Sequence, residues 1–315
     1  MKVIYIGGYG RSGSTVLDII LGNHSQVTGL GEVTYLADDY TGTSRTCSCG
    51  SPYDQCSFWK DFFPNSSPDV ESARILRKVQ GLFFIPRLLL GLVAKRDSDA
   101  YRTYHSHLFG HVESQTQKPI IVDSSKSARK VAGRFLALHR LAGEDVYVVH
   151  LVRNGLATME SLTLTGSNWA LEGRIRPPKW PGLRAAFGWA LTNLWTSLLG
   201  RFLPPDHYMQ LRYEDFAADP AGSLRKIGRF CGFDPEELIV RIDRNDYFQV
   251  GHLVGGNRIR LQSAIKLRPA NPRPRGGRLR VSHRLMFSFT GALLNRQYGY
   301  RGNQAKVEKG ANAHL

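Results

Sequence analysis

The feature that most constrains this chain is its first fifteen residues. An apolar run, Lys2-Val3-Ile4-Tyr5-Ile6, breaks into a glycine-rich turn from Gly7 to Ser14, and a helix follows near Thr15. A short continuous apolar run bounded by glycine reads as a strand buried on both faces, the kind found in helix-covered parallel sheets. In the turn, GGYGRSGST, the residues Gly8, Gly10 and Gly13 let the backbone fold tightly and bring N–H groups towards an anion. Ser14 and Thr15 add hydroxyls at a helix N-terminus, where the dipole also favours negative charge. The stretch reads as a phosphate cradle. Gly8 to Thr15 matches G-x-x-x-x-G-K-[ST] everywhere except at the lysine, which is Ser14. Nucleoside triphosphate enzymes use that lysine on the β- and γ-phosphates, so its absence argues against ordinary ATP or GTP hydrolysis. Here the cation is inside the loop, as Arg11.

Further strands are expected at Pro119–Asp123, Val146–Val152 and Tyr208–Tyr213, separated by helical stretches at 128–141 and 183–203, with another helix starting at Asp219-Pro220. Strands alternating with helices imply an α/β fold: a mainly parallel central sheet between helical layers, P-loop-like and three-layered (αβα). Ligands in such sheets gather beyond the carboxyl ends of the strands. Three chemically notable groups fall there: the glycine loop, Lys126 and Arg153. The 315 residues fit a single domain, 1–315, with an irregular and helical insertion at about 39–117 and a basic C-terminal region at about 251–315. Between Tyr247 and Val307 there are twelve Lys and Arg and no Asp or Glu. Within it GHLVGGNRIR, with Asn257, Arg258 and Arg260, reads as an anion-binding loop.

A formal net charge of +16 favours anionic ligands without choosing among them. Nucleic acid is not the expected partner: the basic region lacks a recognition motif and the interleaved aromatics that stack single strands. No signal peptide is read before the first strand, so a cytoplasmic protein is expected. The apolar segment Gly81–Ala94 is interrupted by Pro86 and Arg87 and is too short to span a bilayer. Within Val70–Ala94, a helix broken near Pro86, it reads as lid or core, with peripheral membrane contact left open. Cys47, Cys49 and Cys56 cluster in TCSCGSPYDQC. Zinc asks for a fourth ligand and no histidine follows at finger-like spacing, so three free thiols are expected. His105, His107 and His111 on the 101–117 helix read as solvated or capping residues.

GGYGRSGST and the later VVHLVRNGLATMESL resemble the two cofactor signatures of sulfotransferases that use 3′-phosphoadenosine 5′-phosphosulfate (PAPS). The resemblance is to bacterial members and, in several details, to tyrosylprotein sulfotransferases. It implies that Gly10, Arg11, Ser12, Gly13, Ser14 and Thr15 hold the 5′-phosphosulfate. Arg153 and Ser161 would hold the 3′-phosphate, with Tyr213 of LRYEDF beside the adenine. Asn257, Arg258 and Arg260 stand where the family's C-terminal cofactor loop would be. Cytosolic small-molecule members carry K-x-H at the second strand end; here it is Lys126-Ser127-Ala128, so the histidine base is missing. The position of Glu32, in GE after the first helix, resembles that of the glutamate base of the tyrosylprotein enzymes. The implied reaction moves a sulfuryl group from PAPS to an acceptor hydroxyl on a glycan, lipid-linked sugar, metabolite or peptide. Glu32 is then the base, Lys126 and Arg11 neutralise the leaving oxygen, and no metal is called for. Apolar residues of 70–94, with Trp169 and Trp180, are candidates to close over the acceptor. The alternatives are an ATP-dependent small-molecule kinase and a basic nucleic-acid-binding protein.

Overall fold

The computed structural model describes residues 1–37, 46–62, 70–166, 176, 179–267, 269 and 278–300. Five strands, β1 (Lys2–Gly7), β2 (Val27–Gly29), β3 (Ile120–Asp123), β4 (Asp145–Val152) and β5 (Tyr208–Arg212), form one parallel sheet in the order β2-β3-β1-β4-β5. The first strand is thus central, flanked by β3 and β4, and the chain reverses direction of travel across the sheet beside it. Such a switch point leaves a crevice at the carboxyl ends of the strands. A short antiparallel pair, β6 (Phe248–Gln249) and β7 (Ala264–Ile265), lies in the C-terminal region.

The pleat of β1 sorts the core into two layers. Val3 and Tyr5 point to one side, where they join Trp59, Phe62, Leu108, Phe135 and Leu138. Ile4 and Ile6 point to the other, against Leu17, Ile20, Leu224, Ile227 and Leu238. Every one of these β1 side chains is fully buried, as a strand covered on both faces requires. A third cluster around Val152, Trp189 and Phe287 extends the core past the end of β4.

The helices, in chain order, are α1 (Ser14–Gly22), α2 (Val70–Val79), α3 (Ile85–Leu90), α4 (Lys95–Thr116), α5 (Arg134–Ala137), α6 (Gly155–Thr165), α7 (Pro181–Gly200), α8 (Tyr213–Ala218), α9 (Pro220–Cys231), α10 (Glu236–Asp243), α11 (Val281–Thr290) and α12 (Ala292–Gln297). Asp219 caps α9 as expected, its Oδ1 accepting from the Gly222 N–H at 2.8 Å, with Pro220 at the first helical position.

Several local expectations are corrected. The three-residue strand β2 is not among the expected strands, because Val-Thr-Gly is too short to show a period; pairing with β3 makes it a strand. The break in the 70–94 segment falls at Gln80-Gly81, and Pro86 sits in the first turn of α3, where it needs no N–H partner. The segment is core on one face: Phe84, Ile85 and Leu88 are buried, whereas Phe83 and Leu90 are exposed. The 128–141 helix is instead a 3-10 turn (Arg129–Val131), α5 and a π turn (Leu138–Ala142). His105 is fully buried rather than solvated. Its Nδ1 donates to the Tyr101 carbonyl at 2.8 Å and its Nε2 accepts from Arg134 Nη1 at 3.2 Å. His111, partly buried, reaches the Phe58 carbonyl. No described helix is long and apolar enough to cross a membrane.

Candidate functional site

The ends of β1, β3 and β4 enclose a cavity of about 180 Å³. Its wall carries Arg11, Gly13, Ser14 and Thr15 from the first loop, Lys126 from beyond β3, and Arg153 and Ser161 from β4 and α6. Tyr213 and Asn257 also line it, and Val16 and Ile259 are additions that apolar character alone did not mark. Gly10 and the buried Ser12 belong to the same loop without lining the cavity. Arg258 is exposed, while Arg260 is buried and donates to the Gly256 carbonyl at 3.1 Å, bracing its own loop. Trp180 is exposed, and Trp169 lies outside the described residues.

The loop after β1 is shaped for an anion. Helix α1 starts at Ser14 behind Gly13, which has φ 91°, and no side chain caps its first turn. Uncapped N–H groups and the positive end of the helix dipole therefore face the cavity. A Cβ on Gly13 would lie 2.6 Å from the Tyr213 ring and would require an unfavourable φ as well. Gly13→Ala is therefore expected to destabilise the protein by about 1–3 kcal/mol and to weaken anion binding in the cavity, checked by denaturant midpoint and calorimetry.

The three cations are held by different means. Arg11 has a left-handed φ of 70° and donates through Nη2 to Thr165 Oγ1 and to the Gly166 carbonyl. Burial, and then the facing charge of Arg153, pull its pKa down. Arg153 donates Nη1 to the Arg11 carbonyl at 2.9 Å, lies over the Tyr213 ring at 4.7 Å, and keeps a buried Nε without a partner among the described residues. Its own carbonyl is fixed by Trp189 Nε1 at 2.9 Å. An anion between Arg11 and Arg153 would relieve both the repulsion and the orphaned donor.

Lys126 also has a left-handed φ, 67°, an uncommon conformation for a residue with a Cβ. The surrounding contacts impose it. Tyr5 donates its hydroxyl to the Lys126 carbonyl, and the Ser127 N–H donates to the Gly8 carbonyl at 3.1 Å. The Lys126 Nζ donates to Glu32 Oε1, forming a partly buried ion pair. Glu32 stands just behind the cavity wall, its N–H bonded to the Val254 carbonyl at 2.5 Å. Gly255 and Gly256 follow at once, and at Gly256 (φ 105°) a Cβ would sit 3.0 Å from Thr15 Oγ1. The Asn257 N–H then donates to that hydroxyl at 3.0 Å. The C-terminal segment thus crosses directly over Glu32 and Thr15.

Beneath the same turn, Asp18 of α1 is fully buried and accepts from the Gly31 N–H at 3.0 Å. Burial pushes its carboxyl up to about 7 from an ordinary 3.8, against the opposing pull of Ser124 and the Gly31 amide. A carboxyl that folding keeps protonated stabilises the native state below its unfolded pKa, and that contribution disappears as pH rises through 7. Asp18→Asn should therefore gain on the wild type by up to about 4 kcal/mol between pH 4 and pH 8, measured by denaturant unfolding.

The sulfotransferase family profile matches residues 70–237. No curated protein matches the chain. Among solved structures, a sulfotransferase domain from the curacin biosynthetic pathway superimposes with a TM-score of 0.51 at 19% identity, covering 91% of this chain and 96% of that one. The sulfotransferase domain of the Synechococcus PCC 7002 olefin synthase gives 0.49 at 19% identity, covering 91% and 93%. Sulfotransferase STF1 of Mycobacterium tuberculosis H37Rv gives 0.45 at 15% identity, covering 76% and 70%. The first of these likenesses shows the shared fold, a parallel sheet flanked by helices. With the profile spanning more than half of its length, the chain belongs to the sulfotransferase family, and its chemistry is sulfuryl transfer.

Proposed function

We propose that the protein transfers the sulfuryl group of PAPS to an acceptor hydroxyl, with Glu32 as the base. The observation that carries this reading is the division of cations and hydroxyls around one cavity. Ser14 and Thr15 come from the N-terminus of α1 and Lys126 from beyond β3, whereas Arg153 follows β4 and Ser161 lies on α6, with Arg11 held against Thr165 and Gly166 on that second side. Two separated anion positions suit a nucleotide bearing both a 3′-phosphate and a 5′-phosphosulfate better than the continuous phosphate chain of ATP.

In this reading the amides of the α1 N-terminus and the Ser14 and Thr15 hydroxyls orient the 5′-phosphosulfate. Arg153 and Ser161 anchor the 3′-phosphate, and the Tyr213 ring, held under the Arg153 guanidinium, lies beside the adenine. Glu32 takes the acceptor proton as the acceptor oxygen bonds to sulfur. The bridging S–O bond breaks, its electron pair goes to the phosphate oxygen, and Lys126 and Arg11 stabilise the charge that collects there. The Lys126–Glu32 pair places base and electrophilic cation side by side, so one left-handed residue aims both. Ile259 and Val16 supply apolar wall to the same cavity.

The donor site is tested by calorimetry with adenosine 3′,5′-bisphosphate. Arg153→Ala should weaken binding about 10–100-fold, the worth of a charge-assisted phosphate contact. Unchanged affinity would overturn the assignment. Incubation of the enzyme and sulfur-labelled PAPS with fractionated cell extract then identifies which class of hydroxyl accepts the label.

A further inference from the structure

We propose that Cys47, Cys49, Cys56 and His252 bind one structural zinc ion, which ties the cysteine loop to the C-terminal segment crossing the candidate site. No histidine lies near the three cysteines in sequence, and the fold brings one from 196 residues beyond Cys56. The four ligand atoms all lie within 4.8 Å of one another. The Cys49 and Cys56 sulfurs are 3.7 Å apart, and His252 Nδ1 is 3.6 Å from the Cys47 sulfur and 3.2 Å from that of Cys56. Tetrahedral zinc, with Zn–S near 2.3 Å and Zn–N near 2.0 Å, sets its ligands about 3.5–3.8 Å apart. Three of the six pairs, at 3.2–3.7 Å, already lie near that spacing. All four cysteines of the chain are unbridged.

The surroundings suit a thiolate-rich site. The backbone N–H of Cys49 is directed at the Cys47 sulfur, that of Ser51 at Cys49, and those of Phe58 and Trp59 at Cys56. Amide donors of this kind stabilise sulfur carrying negative charge and orient it towards a metal. The His252 ring is set by Phe58, stacked on it with centroids 5.4 Å apart, and its carbonyl accepts from Trp59 Nε1 at 3.0 Å. Three sulfurs and one imidazole with no open position match a closed structural zinc site rather than a catalytic one.

The consequence reaches the cavity. Ser48, inside the cluster, donates to the Gly251 carbonyl and accepts from the Leu253 N–H, both at 2.7 Å. Val254 follows immediately and bonds Glu32, and Asn257 bonds Thr15. A metal cross-link at residue 252 would therefore hold the wall that covers the base. This assignment stands independently of the donor and acceptor proposed above.

The test is metal analysis of the full chain purified without chelator. About one zinc per chain is expected. Cys49→Ser and His252→Ala should each lower zinc affinity by at least the roughly 10–100-fold that losing an outer-shell partner costs. Cobalt exchanged into the wild-type protein should show the visible bands and sulfur-to-metal charge transfer of tetrahedral thiolate coordination, which decides the matter even where a variant fails to fold. Zinc retained undiminished in both variants, absence of the cobalt–sulfur band, or a Cys49–Cys56 disulfide in the native protein overturns the site.

Discussion

Glu32→Gln is expected to lower turnover by about 10²–10⁴-fold while affinity for adenosine 3′,5′-bisphosphate stays within about threefold of the wild type. The amide keeps the side chain's shape and still offers an oxygen to Lys126, so the lysine retains an acceptor. What is lost is the capacity to take a proton. Single-turnover rates with labelled PAPS, beside calorimetry on the same preparation, separate the two effects. Normal turnover in the variant would reject Glu32 as base. A parallel loss of nucleotide affinity would point instead to the ion pair as a support of the donor site. Lys126→Met is the complementary variant. It should also depress turnover, and it leaves the Glu32 carboxylate without the partner it has in the wild type.

The second large effect concerns stability. Arg134 and Asp123 form an ion pair from which solvent is excluded, Nε to Oδ2 at 2.8 Å, with side chains 2% and 0% exposed. Arg134 also donates Nη1 to Gln80 Oε1 at 2.9 Å, and Gln80 in turn donates to Thr34 Oγ1 at 2.7 Å. On the other side Asp123 accepts from the Ser125 N–H, and the Ser125 hydroxyl accepts from the Thr34 N–H at 3.1 Å. Both arms end within two residues of Glu32 or Lys126. Arg134→Met should therefore destabilise the fold by about 3–5 kcal/mol, because the Asp123 charge is left buried and uncompensated. A denaturant midpoint shift at unchanged slope reads this directly. Adding Asp123→Asn should return part of the loss, since the orphaned charge is then gone. Protein that survives should show lower kcat with nucleotide affinity kept, because the network aims the Glu32–Lys126 pair and touches neither Arg153 nor Ser161. A midpoint equal to the wild type would mean that water reaches Asp123.

His105 belongs to the same network and shows why part of it escaped sequence reading. Three histidines on a polar helix looked solvated. Burial first, and Arg134 second, hold the His105 pKa well below its ordinary value, so the ring stays neutral and accepts from the arginine. Nothing in the spacing of 105, 107 and 111 distinguishes the residue that is fully buried. That depends on where α4 packs.

The sequence by itself determined four of the five strands of the sheet, its parallel sense and the loops at its carboxyl edge. Those features follow from local rules: continuous apolar runs make buried strands, alternation with helices makes them parallel, and glycines before a helix make an anion loop. Arg11, Ser14, Thr15, Lys126 and Arg153 could be marked for that reason, each within a few residues of a strand end or helix start; Ser161 and Tyr213 were expected only from the family resemblance, and all seven line one cavity. The tertiary structure alone decided what long-range pairing decides. It made Val27–Gly29 an edge strand, buried His105 and Asp18, turned Arg260 into a brace, and exposed Arg258. It also brought His252 to three cysteines that had no fourth partner near them. Local spacing reports which side chains share a face, whereas a contact across two hundred residues depends on how the completed layers close, and no short pattern records that.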